Sequence, residues 1–213
     1  MTAARTKKST TLKPTQQRIL AAAKELFLRH GYSNTNLEDV AEAAGVTKPT
    51  VYSHFGSKEG LLLSMTEHHT SENADRLSDA LMPSGDIESD LMAFGAIFYE
   101  RTQNHEATSW HRLAIAESAN HPEIGDALFA SGPAKVLRAL GHFIKAETKA
   151  GRLECKDAEL AAEQFLGLLL GINPIRAMTG QSLPGPAKRK RICRQAVNTF
   201  LAAYATKKLR AKS

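Results

Sequence analysis

Residues 35–58 read TNLEDVAEAAGVTKPTVYSHFGSK, a pattern typical of two short helices joined by a tight turn. Thr35 with Glu38 fits a capping box for the first of these helices, and Asn36 with Asp39 fits one in a rival frame. Both frames predict a helix that starts near residue 36 and buries its leucine, valine and alanine side chains.

A glycine and a threonine mark the turn and the start of the second short helix. Gly45 supplies the positive φ of a tight turn, and Thr47 can cap the helix that follows. Val51 and Phe55 lie four residues apart on the face that we expect to be buried. The other face carries Lys48, Thr50, Tyr52, Ser53 and His54. This pattern describes a helix-turn-helix whose second helix fits the major groove of DNA, although a plain helical corner shows the same caps.

The sequence on either side of this motif is also helical. A helix is predicted from Pro14 to His30, with Gly31 as its C-terminal cap. After the motif, apolar periodicity and Gly or Pro breaks predict helices over 57–81, 86–103, 106–119, 122–150 (with a possible break at Gly132-Pro133), 157–179 and 186–206. We therefore expect an all-α protein of about nine helices, in which a three-helix DNA-binding domain precedes a helical bundle.

The chain divides into four predicted parts. These are a basic flexible arm over 1–13, a helix-turn-helix domain over 14–57, an effector-binding and dimerisation domain over 58–206, and a basic tail over 207–213. Net charge is +6, but residues 14–187 alone carry 15 basic and 22 acidic residues, so the positive charge lies at the two ends. Basic ends favour a polyanionic partner such as nucleic acid, and solvated tails are the alternative.

Composition excludes several classes of protein. The 213 residues are 42% hydrophobic and 23% charged, which is typical of a folded globular chain. Two cysteines, Cys155 and Cys193, cannot form a disulfide framework and favour a reducing compartment, so we expect the cytoplasm. Residues 1–15 lack the apolar segment of a secretory signal, and the apolar stretch over 164–175 is too short to cross a bilayer.

The N-terminal pattern resembles the TetR/AcrR family of bacterial transcriptional regulators. The matching run covers about residues 14–63 and includes Phe27, Gly31-Tyr32, Thr35, Val40-Ala41, Ala44 through Phe55, Lys58-Glu59 and Leu61-Leu62. The resemblance implies a homodimer whose two recognition helices read a palindromic operator in double-stranded DNA. It also implies repression that is relieved when a small apolar or amphipathic effector enters the C-terminal domain.

The same resemblance implies roles for individual residues. The positions that match the family's base-facing set are Thr47, Lys48, Pro49, Thr50 and Ser53. The positions that match its phosphate contacts are Thr35, Tyr52, His54 and Lys58. Asn36 stands where the family often has Ser or Thr, and it can both cap the helix and bond to phosphate.

The C-terminal part resembles the AefR-like branch of the family, over Trp110 through Glu117, His121 through Glu123, and Phe129 with Gly132-Pro133. Apolar and polar residues at helical spacing predict a ligand cavity lined by Phe94, Phe98, Trp110, His111, Phe143, Phe165, Leu169 and Asn173. A filled core explains the same spacing. A filled core favours a regulator without a ligand, whereas an apolar cavity above about 300 Å³ favours a sensor.

The last two predicted helices have features of a dimer interface. Gly167 and Gly171 lie four residues apart in Leu-rich sequence, which leaves one helix face flat enough for close approach of a partner helix. An internal partner explains the flat face equally well. Asn173-Pro174 is expected to bend this helix, and four basic residues over 188–191 oppose the macrodipole of the next one. The family resemblance makes these helices a four-helix dimer interface.

Other functions find less support in the sequence. The chain has no GxSxG, HExxH, Walker-type or GxGxxG motif, so we do not expect an enzyme or a cofactor. His68 and His69 are adjacent and point to different sides of a helix, so no metal site is expected there. A ligand-independent DNA-binding regulator, controlled by a protein partner, remains as the alternative function.

Overall fold

The computed structural model describes residues 12–210, and this part of the chain is helical apart from loops and one isolated bridge between Leu153 and Ala205. The helices are α1 Pro14–His30, α2 Leu37–Ala43, α3 Lys48–Phe55, α4 Lys58–Asp79, α5 Ile87–Thr102, α6 His105–Glu117, α7 Pro122–Ser131, α8 Pro133–Lys149, α9 Ala158–Leu170, α10 Asn173–Met178, α11 Pro186–Tyr204 and α12 Lys207–Arg210. The all-α prediction is confirmed. The predicted arm over 1–13, apart from its last two residues, and the last three residues of the predicted tail lie outside the described residues.

Residues 12–210 form twelve helices where nine were expected, because two predicted helices are broken and the short α12 forms within the predicted tail. The segment 122–150 breaks at Gly132, before Pro133 begins α8. The segment 157–179 ends at Gly171, which adopts a φ of 50° as the C-cap of α9, ahead of the predicted bend at Asn173. Tyr99 closes this end of α9 by donating its hydroxyl to the Leu169 carbonyl at 2.5 Å, which satisfies one of the carbonyls that a helix end leaves free.

The chain forms two compact units that divide after Met65. The sequence placed the boundary near residue 57, where α4 begins. The difference arises because Leu61, Leu62 and Met65, on the first two turns of α4, are buried within the N-terminal unit.

The N-terminal unit contains α1, α2 and α3 with the start of α4. Asn36 is the N-cap of α2, and its side chain accepts a hydrogen bond from the Asp39 amide at 2.8 Å. Of the two predicted capping frames, the one with Asn36 and Asp39 is therefore the one that forms. Gly45 has a φ of 62° in the turn between α2 and α3, as the sequence predicts.

The C-terminal unit has a core of aromatic and aliphatic side chains from four main helices, α5, α8, α9 and α11. Phe94, Phe165 and Phe200 are fully buried, and the Phe165 and Phe200 rings meet edge to face at 5.2 Å. Arg189, in the basic first turn of α11, donates to the Gln103 carbonyl at 2.8 Å and to the Pro184 carbonyl at 2.6 Å. Backbone carbonyls thus accept hydrogen bonds from this guanidinium.

Candidate DNA-binding helix and apolar cavity

Helix α3 is anchored by its apolar face and exposes its polar face. Val51 is fully buried, whereas 45% of the Tyr52 surface is exposed. The predicted base-facing residues Thr47, Lys48, Pro49 and Ser53 are exposed, and Thr50 is half-buried. Phe55 is also only half-buried, because it lies at the C-terminal end of the helix. The first turn of α3 is therefore accessible to a ligand as large as duplex DNA.

The hydroxyl groups of α3 are organised among themselves. Thr47 is the N-cap residue, but its side chain makes no cap hydrogen bond. Its Oγ1 lies instead 2.9 Å from Oγ1 of Thr50, and Ser53 Oγ donates to the Thr50 carbonyl at 2.9 Å. The Thr47 side chain therefore caps no amide of the first turn, where the Thr50 amide donates instead to the Thr47 carbonyl at 2.9 Å.

Lys48 forms an ion pair with Glu38 of α2, and its Nζ also lies 5.7 Å from the centre of the Tyr52 ring. The hydrogen bond between the two side chains raises the pKa of Lys48 and lowers the pKa of Glu38. Both groups are therefore charged at neutral pH. The pair orients the ammonium group along α3 while keeping it exposed.

Lys58 is held against the N-terminal unit at the first position of α4. Its Nζ lies 4.3 Å from the centre of the Tyr32 ring and 3.4 Å from the Ser33 carbonyl oxygen. The Tyr32 hydroxyl in turn donates to Glu59 at 3.1 Å. These contacts leave the ammonium group half-exposed and fix its position, which suits a phosphate contact.

One predicted phosphate contact is corrected by the structure. Thr35 is only 3% exposed, and its hydroxyl donates to the Gly31 carbonyl at 2.9 Å. The capping frame begins one residue later, so Asn36 occupies the exposed position and Thr35 turns inward. His54 is half-buried and Asn36 is exposed, so both stay predicted contacts.

The C-terminal unit contains an apolar cavity of about 260 Å³. Its walls come from α4, α5, α6, α8, α9 and α10 and from the Gly132-Pro133 break. The lining residues are His69, Thr70, Asn73, Ala74, Leu77, Phe98, Arg101, Thr102, Gln103, Thr108, His111, Ile115, Gly132, Pro133, Val136, Leu166, Leu170, Pro174, Ala177 and Met178. This volume is slightly below the volume of about 300 Å³ expected of a ligand-responsive regulator, and it is suited to a small ligand.

Only two of the eight predicted ligand residues, Phe98 and His111, line this cavity. The other six are buried but lie away from it, namely Phe94, Trp110, Phe143, Phe165, Leu169 and Asn173. The reason is geometric, because helical periodicity identifies the buried face of a helix but not the part of that face that borders a void. Asn173, for example, donates to the Tyr99 hydroxyl at 3.4 Å.

The sequence missed the wall that α4 and the C-cap of α5 supply. His69 and Asn73 lie on α4, from which no ligand residue was predicted, and Gln103 follows the last residue of α5. None of these three residues belongs to a motif, so no signal in the sequence could have identified them as cavity residues. Burial lowers the pKa of His111 in the opposite wall, so this imidazole is neutral at neutral pH.

The surface shared by α9 and α11 is open and partly apolar. Leu168 and Ile172 are exposed, and a side chain added at Gly167 would meet no atom within 4 Å. A groove beside Leu168 continues to Ile192 of α11. The flat face at Gly167 therefore has no internal partner in the described part of the chain.

Residues 12–210 contain neither a cluster of metal ligands nor a helix able to span a membrane. No group of three or more His, Cys, Asp or Glu side chains there is arranged to hold a metal ion. No helix in the same range combines the length and the apolar character that crossing a membrane requires.

Two family models match this chain. Residues 19–65 match the model for bacterial regulatory proteins of the tetR family, and residues 89–206 match the model for the C-terminal domain of AefR-like transcriptional repressors. The second match by itself covers more than half of the chain. The two matches fall on the helix-turn-helix and on the cavity-bearing unit.

Similar proteins have been described in bacteria. A TetR-family regulator structure from Mesorhizobium loti has a TM-score of 0.85 and 28% identity, over 90% of this chain and 97% of that chain. The flavonoid-responsive regulator FrrA has a TM-score of 0.75 and 28% identity, over 91% and 98%. The transcriptional activator FasR of Mycolicibacterium smegmatis is 27% identical over 106 residues, which is 50% of this chain and 48% of FasR.

Proposed function

We propose that this chain, which belongs to the TetR family of bacterial transcriptional regulators, is a homodimeric repressor that binds a palindromic operator and leaves it when a small molecule fills the cavity. The family consists of regulators and not of enzymes. The observation that carries the proposal is α3, a helix anchored by buried Val51 whose polar residues face outward.

Contacts at α3 support direct reading of the operator. Short side chains at Thr47, Thr50 and Ser53 allow close approach of the helix to base edges in the major groove. Lys48, held by Glu38 and still exposed, adds a charged donor on the same turn. Pro49 contributes shape at this turn and no backbone donor.

Charged and polar groups around α3 support contacts to phosphate. Lys58 is fixed over the Tyr32 ring, while Tyr52, His54 and Asn36 surround the same helix. Such contacts position the protein on the duplex and make its affinity depend on salt. We therefore assign phosphate binding to these four residues and withdraw Thr35 from the set.

The proposed dimer is supported by the open surface of α9 and α11. Exposed Leu168 and Ile172, the flat position at Gly167 and the groove beside Ile192 offer apolar area to a second copy. A two-fold pair of α3 helices reads two half-sites about one helical turn, or about 34–36 Å, apart. Light scattering tests the assembly: wild type and the control Met82→Asp are expected to be dimers, and Leu168→Asp a monomer.

Response to a small molecule is supported by the apolar cavity and by the likeness to FrrA, whose name describes it as flavonoid-responsive. Repression is supported by the AefR-like repressor model that matches the C-terminal unit. The likeness to FasR, a transcriptional activator, favours activation of the regulated genes instead of repression. A regulator controlled by a protein partner predicts instead that no small molecule changes operator binding.

Selection of bound fragments from bacterial genomic DNA tests the DNA-binding proposal. Wild type and the control Lys156→Ala are expected to enrich the same palindromes, and the double variant Lys48→Ala, Thr50→Ala is expected to enrich none of them. Failure of wild type to enrich any sequence over non-specific DNA would overturn the proposal. Placing an enriched palindrome before a reporter gene then gives the sign of regulation.

A further inference from the structure

We propose that the cavity selects a small, uncharged, apolar molecule bearing one hydroxyl group, and that the side-chain oxygen of Gln103 accepts the hydrogen bond from this hydroxyl. The inference rests on the proposed function, because it names the ligand class of the same cavity. It rests on three observations: the buried Oε1 atom of Gln103, the hydrogen bonds that fix the backbone of Gln103, and the charges of the residues that line the cavity.

Gln103 lines the cavity and is only 7% exposed, and its Oε1 is buried with no hydrogen-bond partner among the described residues. Buried polar atoms in folded proteins nearly always have a partner. Two hydroxyls in the same wall are already used: Thr102 donates to the Phe98 carbonyl at 2.7 Å and Thr70 to the Thr66 carbonyl at 2.6 Å. Gln103 Oε1 is thus an acceptor that a donor on the ligand satisfies.

The backbone of Gln103 is fixed on both sides. Its amide donates to the Tyr99 carbonyl at 3.1 Å as the C-cap of α5, and its carbonyl accepts from Arg189 at 2.8 Å. A site that is already held in place loses little conformational freedom when a ligand binds. The backbone that carries the acceptor is therefore held in place before the ligand arrives.

The charges of the wall exclude other head groups. None of the lining residues, all of them within the described chain, is Asp or Glu, so an ammonium group would lose its hydration without gaining a counter-ion. A carboxylate is disfavoured at Gln103, since it would oppose one acceptor to another, and Arg101 already lies 3.8 Å from Glu100.

The size of the cavity sets the scale of the molecule. A cavity of about 150 Å³ holds benzene, so the roughly 260 Å³ available here suits one substituted ring. The lining around Gln103 is largely apolar, with Leu77, Phe98 and Val136 among its members. One donor on an otherwise apolar ring matches this wall.

The test uses four probes on the same ring: menthol, menthane, menthylammonium and menthanecarboxylate. None of them absorbs where tryptophan is excited, and the chain has one tryptophan, Trp110, whose ring lies 5.6 Å from that of the lining residue His69. Trp110 emission therefore reports binding to the full chain with no DNA present. Menthol is expected to bind at least about tenfold more tightly than each of the other three probes.

Substitution of the acceptor gives the second arm of the test. Gln103→Leu is expected to remove the preference for menthol over menthane, because no acceptor is left for the hydroxyl. Thr148→Val is the matched control, since its hydroxyl is bonded to the Ile144 carbonyl within α8 and it does not line the cavity, and it is expected to keep the preference. Equal binding of menthol and menthane to wild type, tightest binding of a charged probe, or no binding of any probe overturns the proposal. The wild-type series decides the question by itself if Gln103→Leu proves unstable.

Operator release separates this inference from the proposed function. Binding of menthol that depends on Gln103 but leaves the operator complex intact supports the ligand class and contradicts ligand-controlled repression. Release of the operator by a charged or hydroxyl-free probe, with Gln103→Leu responding like wild type, supports the proposed function and overturns the inference.

Discussion

Helix α3 and the cavity are both candidate recognition surfaces, but they are built in opposite ways. Helix α3 is convex and polar, and its hydroxyls and its lysine contact one another or α2. The cavity is concave and apolar, and one of its few buried polar atoms, Gln103 Oε1, lacks a partner. We expect the first surface to bind through charge and short side chains, with an affinity that depends on salt, and the second to bind through apolar burial and the proposed hydrogen bond.

Val51→Asp is expected to produce the largest effect, because it should remove binding at α3 and leave binding in the cavity intact. Val51 is fully buried beneath α3, and an unpaired carboxylate there costs about 3 kcal/mol or more of the free energy of unfolding. We expect operator binding to be lost while Trp110 emission still responds to menthol. Gel shifts and fluorescence titrations measure the two effects, and Met82→Asp, which adds the same charge at an exposed position of the C-terminal unit, is expected to keep both activities. Full operator binding by Val51→Asp would remove α3 from the interface.

A smaller and more specific effect is expected from Thr50→Ala. Thr50 lies on the first turns of α3, and loss of one base contact changes discrimination by about 1–3 kcal/mol per altered base pair. We expect the preferred base at one position of each half-site to change, with little change in the salt dependence. Binding to a set of operators with single substitutions measures this preference, and an unchanged ranking of these operators would contradict the base-facing assignment.

Lys58→Ala is expected to affect all operators alike. Loss of one phosphate contact per protomer lowers the slope of log affinity against log salt by about 1 for each protomer. Titrations over a range of salt concentrations give the slope. Lys156→Ala removes a charge from the C-terminal unit and is expected to leave the slope at its wild-type value. If Lys58→Ala leaves the slope unchanged, Lys58 makes no phosphate contact and only packs against the Tyr32 ring.

The smallest expected effect concerns pH and the cavity wall. Burial lowers the pKa of His111 below its ordinary value of about 6.5, so the unfolded chain binds this proton more readily than the folded one. His111 therefore does not lower the free energy of unfolding at neutral pH. As the pH drops below about 6.5, the unfolded chain takes up the proton and the free energy of unfolding falls. We expect His111→Gln to lose less stability than wild type between neutral and mildly acidic pH, by about 1 kcal/mol or less. Denaturation followed by Trp110 emission measures this difference, and equal losses would contradict it.

The sequence by itself determined the helical fold, the helix-turn-helix and most of its exposed face. Caps, glycine turns and apolar spacing act within a few residues of one another, so local sequence is sufficient to predict α1 from Pro14 to His30 and the turn at Gly45. It left two capping frames open for α2. Only the folded unit decided between them, by burying Thr35 and exposing Asn36.

Tertiary structure alone decided which residues enclose the cavity. A void is what remains when six helices and a loop pack together, and its position depends on helix ends that are distant in sequence. Phe94 and Phe165 therefore became core, while Gln103, at the end of α5, came to face the void. Periodicity shows that a residue is buried, but only packing determines whether its neighbour is another side chain or empty space.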